Sequence, residues 1–122
     1  MTRLTLRIDL DGAGSIGPGK VRLLELVSEM GSIRSAGTEL KMSYARAWKL
    51  IQDMNATFGA PVLTATTGGK SGGGAQLTPL GLEIVSAYRA AEQKAAKAAQ
   101  KEMAMLGMRV TRRHPSKRSK SQ

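Results

Sequence analysis

Residues 31–78 read GSIRSAGTELKMSYARAWKLIQDMNATFGAPVLTATTGGKSGGGAQLT, and the order of parts within this stretch decides the fold. Gly31 can stop a preceding helix. Ser32 is then placed to cap a short helix over 33–41, whose Ser35, Ala36 and Gly37 let another helix cross at close range. Leu40 and Met42 flank a tight turn and point inward. Ser43 caps a third helix from Tyr44 to about Phe58, with Ala47, Ile51, Met54 and Phe58 on one side and Arg46, Lys49 and Asp53 on the other. After Gly59 and Pro61, residues 62–67 are rich in β-branched side chains, and 75–77 can return antiparallel across the glycine-rich loop 68–74. Short helix, turn, longer helix, then hairpin is the order of a winged helix-turn-helix, a module that docks on duplex DNA.

Working outward, residues 3–9 alternate Leu4, Leu6 and Ile8 with Arg3, Thr5 and Arg7, the period-two pattern of a half-buried strand. A glycine-rich loop over 11–19 leads to a helix that starts near Pro18 and carries a broad apolar stripe including Val21, Leu23, Leu24 and Leu26. On the other side, Thr78 and Pro79 open a long helix expected to run to about residue 106. Ile84, Tyr88, Ala91, Ala95, Ala98 and Met105 recur along it at intervals of three or four, interrupted at Glu102. That spacing predicts a seam for a partner helix, and the length of the helix suggests self-association into a homodimer. The expected architecture is therefore mostly α with a small β-sheet, a winged helix-turn-helix over residues 1–106 that includes the long dimerisation helix at about 78–106.

Composition narrows the function classes. The chain has 122 residues, no cysteine, one histidine and a net charge of +10, enough for one modest core. A disulfide framework and a thiolate metal site are excluded, and with His114 in the basic tail no metal or cofactor is expected. Residues 107–122 carry +6 with no acid, against +4 for the rest, and read as a disordered polycationic tail. The N-terminus lacks the apolar run of a signal peptide, and no apolar run reaches membrane-spanning length, so a cytoplasmic, nucleoid-associated protein without membrane contact is expected. Gly69, Lys70 and Ser71 imitate the end of a phosphate-binding P-loop. That motif needs glycine where Thr64 stands and a helix where Gly72, Gly73 and Gly74 follow, so nucleotide hydrolysis is rejected and no enzyme is expected.

Double-stranded DNA is the expected partner. Ser43, Tyr44 and Arg46 occupy the first turn of the third helix, the part that reaches base edges in such motifs, with Lys49 one turn later near the backbone. Lys70 and Ser71 sit at the hairpin tip, where bare glycine backbone can approach a phosphate or a minor groove. Trp48 is assigned to packing, and Tyr44 is left open between packing and stacking on bases.

The segments GSIRSAGTELKMSYARAWKLIQDMN and LTATTGGKSGGGAQLTPLG resemble the N-terminal DNA-binding domain of the molybdate-responsive regulators of the ModE family, itself similar to the LysR-type winged helix-turn-helix. The resemblance covers about residues 18–88 and rests on two blocks, SYxxAW followed by MN, and TGGxxGGGAxLT. It implies that Ser43, Tyr44, Arg46 and Lys49 lie on a recognition helix, that Lys70 and Ser71 tip the wing, and that the helix after Thr78 dimerises. Full-length members continue into molybdate-binding domains, where this chain has its basic tail, so molybdate or other oxyanion binding is not expected. The resulting expectation is a stand-alone, sequence-specific transcriptional regulator. The alternatives are a nucleoid-type architectural protein with little sequence preference and an interaction subunit that joins a larger regulator.

Overall fold

The computed structural model describes residues 1–66 and 74–111. In chain order the elements are β1 (Ile8–Asp9), β2 (Ser15–Ile16), α1 (Pro18–Met30), α2 (Ile33–Glu39), α3 (Tyr44–Phe58), β3 (Leu63–Thr66), β4 (Gly74–Leu77), α4 (Pro79–Ala98) and α5 (Gln100–Met108). Two antiparallel ribbons stand apart, β1 with β2 and β3 with β4. This is a mostly α winged helix-turn-helix.

The helix boundaries follow from local chemistry. Pro18 opens α1, where its missing N–H costs nothing, and Gly31 closes it at φ 71°, donating its own N–H to the Val27 carbonyl. Ser32, Ser43 and Thr78 each accept a backbone N–H three residues on, from Ser35, Arg46 and Gly81 respectively, capping α2, α3 and α4. α2 ends at Glu39, short of the expected residue 41, because Lys41 adopts φ 59°. That left-handed residue makes the turn, and the Met42 N–H reaches back to the Gly37 carbonyl at 2.9 Å.

The core lies between α1, α2, α3 and the start of α4. Val21, Leu23, Leu24 and Val27 of α1 meet Ala36, Ala47, Ile51 and Met54 of the helix-turn-helix, with Val62, Ile84 and Tyr88 closing the far side. Where α2 crosses α3, a Cβ on Gly37 would sit 3.4 Å from the Ala47 Cβ, so the small residues do set the approach of these helices.

Two expectations are corrected. Only Ile8–Asp9 of the alternating N-terminal segment is strand, paired with Ser15–Ile16. Leu4, Leu6, Ile8 and Leu10 are half-buried and their neighbours exposed, so the alternation is real. Residues 1–7, however, run beside α4 and α5 rather than beside another strand: the Tyr88 hydroxyl donates to the Leu6 carbonyl at 2.7 Å, and Thr2 packs over Gly107. Period-two burial reports which side faces the core and carries no information on a ladder partner. The second correction concerns the long helix, which is broken at Ala99 (φ −97°, ψ 10°) into α4 and α5. The break is shallow, since the Ala99 N–H still bonds to the Ala95 carbonyl and the Met103 N–H to that of Ala99.

Candidate nucleic-acid interface

The exposed face of α3 is built by subtraction. Ala47, Ile51 and Met54 are buried, which at about 100° per residue leaves Ala45, Lys49, Gln52 and Ala56 along the centre of the outward face. Arg46 flanks this line on one side, Tyr44 and Trp48 on the other. All seven are exposed. The Ser43 hydroxyl is committed as an acceptor to the Arg46 N–H at 3.0 Å, which leaves its own O–H free to donate outward.

Charge on this face is unequal in availability. Lys49 pairs with Asp53 at 3.1 Å, one turn along α3, an exposed contact worth little that still divides the ammonium's attraction. Arg46 makes no ion pair among the described residues. Its guanidinium therefore remains free to engage a guanine edge or a phosphate in bidentate fashion. Arg34, on α2, lies over the Tyr44 ring with its guanidinium carbon 4.6 Å from the centroid, so the two helices of the motif present a joined cationic and aromatic corner.

The hairpin is tied to this scaffold at its base. Asn55 of α3 accepts the Val62 N–H at 2.8 Å, the Thr78 N–H bonds to the Val62 carbonyl at 3.0 Å, and the Thr78 hydroxyl donates to the Pro61 carbonyl at 2.8 Å. The Ala75 N–H reaches the Gly31 carbonyl at the end of α1 at 2.9 Å. Asn55 in the MN block and Thr78 at the end of the TGGxxGGGAxLT block are thus bracing residues that fix where the wing leaves the domain. Lys70 and Ser71, expected at its tip, lie outside the described residues.

Ser43, Tyr44, Arg46 and Lys49 come together on one helix end, as expected. Trp48, assigned to packing, is instead 40% exposed on the same surface. Arg34, Ala45 and Gln52 were missed. A helical projection of α3 would have found Ala45 and Gln52, whereas Arg34 comes from another helix and no spacing rule reaches it. Of the predicted dimer seam, Ile84 and Tyr88 are buried in the chain's own core, 7% and 2% exposed, and are unavailable to a partner helix. Ala91 and Ala95 are half-buried, while Ala98 and Met105 are exposed. Among the described residues no group of histidine, cysteine or carboxylate side chains is placed to hold a metal ion, and no helix is long and apolar enough to cross a membrane.

Comparison with known proteins agrees with this geometry. The chain is 46% identical over 82 residues to the molybdenum-pterin-binding protein MopB of Rhodobacter capsulatus, covering 67% of this chain and 30% of that one. It is 38% identical over 87 residues to the molybdenum transport protein ModE of Azotobacter vinelandii and 39% over 87 residues to the transcriptional regulator ModE of Haemophilus influenzae, covering 71% of this chain each time and 32% and 34% of those proteins. The chain spans about a third of the length of these curated relatives. Residues 19–82, from the first turn of α1 to the first turn of α4, match the bacterial regulatory helix-turn-helix proteins of the lysR family. With more than half of its length matched, the chain belongs to the LysR-type bacterial regulatory helix-turn-helix family.

Proposed function

We propose that this chain is a sequence-specific DNA-binding transcriptional regulator that works as a homodimer, without enzymatic activity, in the cytoplasm on nucleoid DNA. The observation that carries the reading is α3: a capped helix with a complete outward face, held at close range by α2 and followed directly by a braced hairpin. Arg46 and Tyr44 read base edges in the major groove. Lys49 and Arg34 meet the backbone, and Lys70 and Ser71 carry the wing's contacts to a phosphate or minor groove.

The dimer is assigned to α4 and α5, with Ala91, Ala95, Ala98 and Met105 retained from the expected seam. Leu106, Met108 and Val110 add to it, 59%, 84% and 64% exposed in the single chain. One DNA-binding unit extended by these helices and followed by a basic tail is the proposed organisation. Selection of preferred duplexes from a random pool at fixed salt tests the reading. A preferred site bound about 10³-fold or more above random DNA, built as an inverted repeat, is the expected result. Equal affinity for unrelated duplexes would replace it with an architectural role.

A further inference from the structure

Tyr44 and Trp48 stand one turn apart on the flank of α3 that the core leaves uncovered, 45% and 40% exposed. Trp48 is the chain's single tryptophan. A large apolar ring left in water on a surface of this kind calls for a counterpart, and the surroundings restrict what the counterpart is. Arg34 covers one face of Tyr44, Lys49 stands on the outward face of α3 next to them, and Arg46 lies across that face on its other flank. Among the described residues no cation lies over the Trp48 ring, which leaves it the more available of the two. An apolar ring in a cationic frame complements a surface that is anionic along its edges and carries isolated apolar groups in its floor. The major groove of duplex DNA is such a surface, with phosphates on both edges and the thymine C5-methyl as the apolar group among the base edges.

We propose that Trp48 is a specificity-determining residue whose indole packs on the C5-methyl of a thymine in the bound site. The inference rests on the DNA-reading assignment above and names a chemical group that this surface recognises. Arg46 and Lys49 hold α3 in the groove by polar contacts, and Trp48 then discriminates by the presence or absence of one methyl.

The test uses the full chain and the preferred duplex recovered from a random pool. Trp48 is its own reporter, so its emission is followed as duplex is added. Each thymine of the site is then replaced in turn by uracil, which removes only the methyl. The expected result is a quenched or shifted emission, and a loss of about fourfold in affinity at one thymine per half-site, the effect of one buried methyl-sized group. Trp48→Ala should abolish that uracil penalty while binding to random DNA changes little, and Trp48→Phe should keep part of it. Should the alanine variant fold poorly, the emission and the uracil scan of the unmodified chain still decide. Unchanged emission on a bound site, indifference to uracil at every thymine, or a full penalty persisting in Trp48→Ala would overturn the proposal. A chain that prefers no duplex at all defeats the DNA-reading assignment itself, which separates the two failures.

Discussion

Gly81 shows how one atom decides position. It lies in the first turn of α4, and a Cβ there would run into the backbone carbonyl of Val62, which cannot swing aside because it already accepts the Thr78 N–H at 3.0 Å. Gly81→Ala is therefore expected to destabilise the fold by about 1–3 kcal/mol, despite alanine's better helix propensity. Urea unfolding of the two proteins measures it, and a neutral or stabilising result would mean that α4 can slide away from the hairpin. Arg46 belongs to the same scale with the opposite character, since among the described residues its side chain enters no ion pair. Arg46→Ala should leave stability within about 0.5 kcal/mol while costing about 1–3 kcal/mol of binding at the preferred site and much less on random DNA. Equal losses on both kinds of DNA would move Arg46 from base reading to phosphate contact.

Between elements, the docking of α4 on α1 combines apolar and ionic contacts. Val21, Leu24, Ile84 and Tyr88 supply the apolar part. At the margin, Arg89 of α4 grips Glu25 of α1 in bidentate fashion, Nε and Nη2 each donating at 2.9 Å, while its Nη1 donates to Glu92 at 2.7 Å. The hydrogen-bonded Arg89 guanidinium holds the Glu25 carboxyl below the usual carboxylate range, against the smaller opposing effect of burial. With the folded-state pKa depressed, the stabilisation is fully present above the unfolded carboxylate's pKa and is lost as pH falls through the folded one. Stability measured by urea unfolding from about pH 7 downward should decline in acid, and Glu25→Gln should reduce that decline. At neutral pH Arg89→Met is expected to cost about 1–2 kcal/mol, modest because the pair remains in reach of water. An acid profile unchanged by Glu25→Gln would assign the decline to other carboxylates.

For the whole molecule, exposed apolar surface and charge set what it associates with. Met105, Leu106 and Met108 of α5 and Val110 just beyond it are all exposed, and α5 buries none of its residues in the single chain. Sedimentation at micromolar concentration should show a dimer, and Ala95→Lys or Leu106→Lys should weaken it by placing a charge in a desolvated seam. A monomer in the unmodified chain would end the proposal before any variant was made. Residues 112–122 contribute five of the chain's lysines and arginines and no acid. Deleting them should weaken binding to specific and random duplexes alike, and each phosphate that is no longer neutralised should take about 0.9 from the slope of log affinity against log salt. An unaltered slope would assign the tail to a different partner.

By itself the sequence determined what depends on near neighbours along the chain: Pro18 and Gly31 bounding α1, Ser43 capping α3, Thr78 and Pro79 opening α4, and the apolar spacing that buries Ala47, Ile51 and Met54. Such signals act over a turn or two, so no tertiary information is needed to read them. The extent of α3 and its Ser43-capped first turn were legible for that reason. The tertiary structure alone decided where alternative partners compete for the same residues. Leu4 and Leu6 have the alternation of a strand but run beside α4 and α5, because α4 supplies the Tyr88 hydroxyl to the Leu6 carbonyl. Ile84 and Tyr88 fit a dimer seam by spacing but fill the chain's own core, since helical period fixes which side of a helix is apolar and leaves open what covers it. Trp48 is the reverse case: its apolarity suggests the interior, yet its angle on α3 sets it 40% exposed beside Tyr44, on a flank of the helix that the chain's own core does not cover.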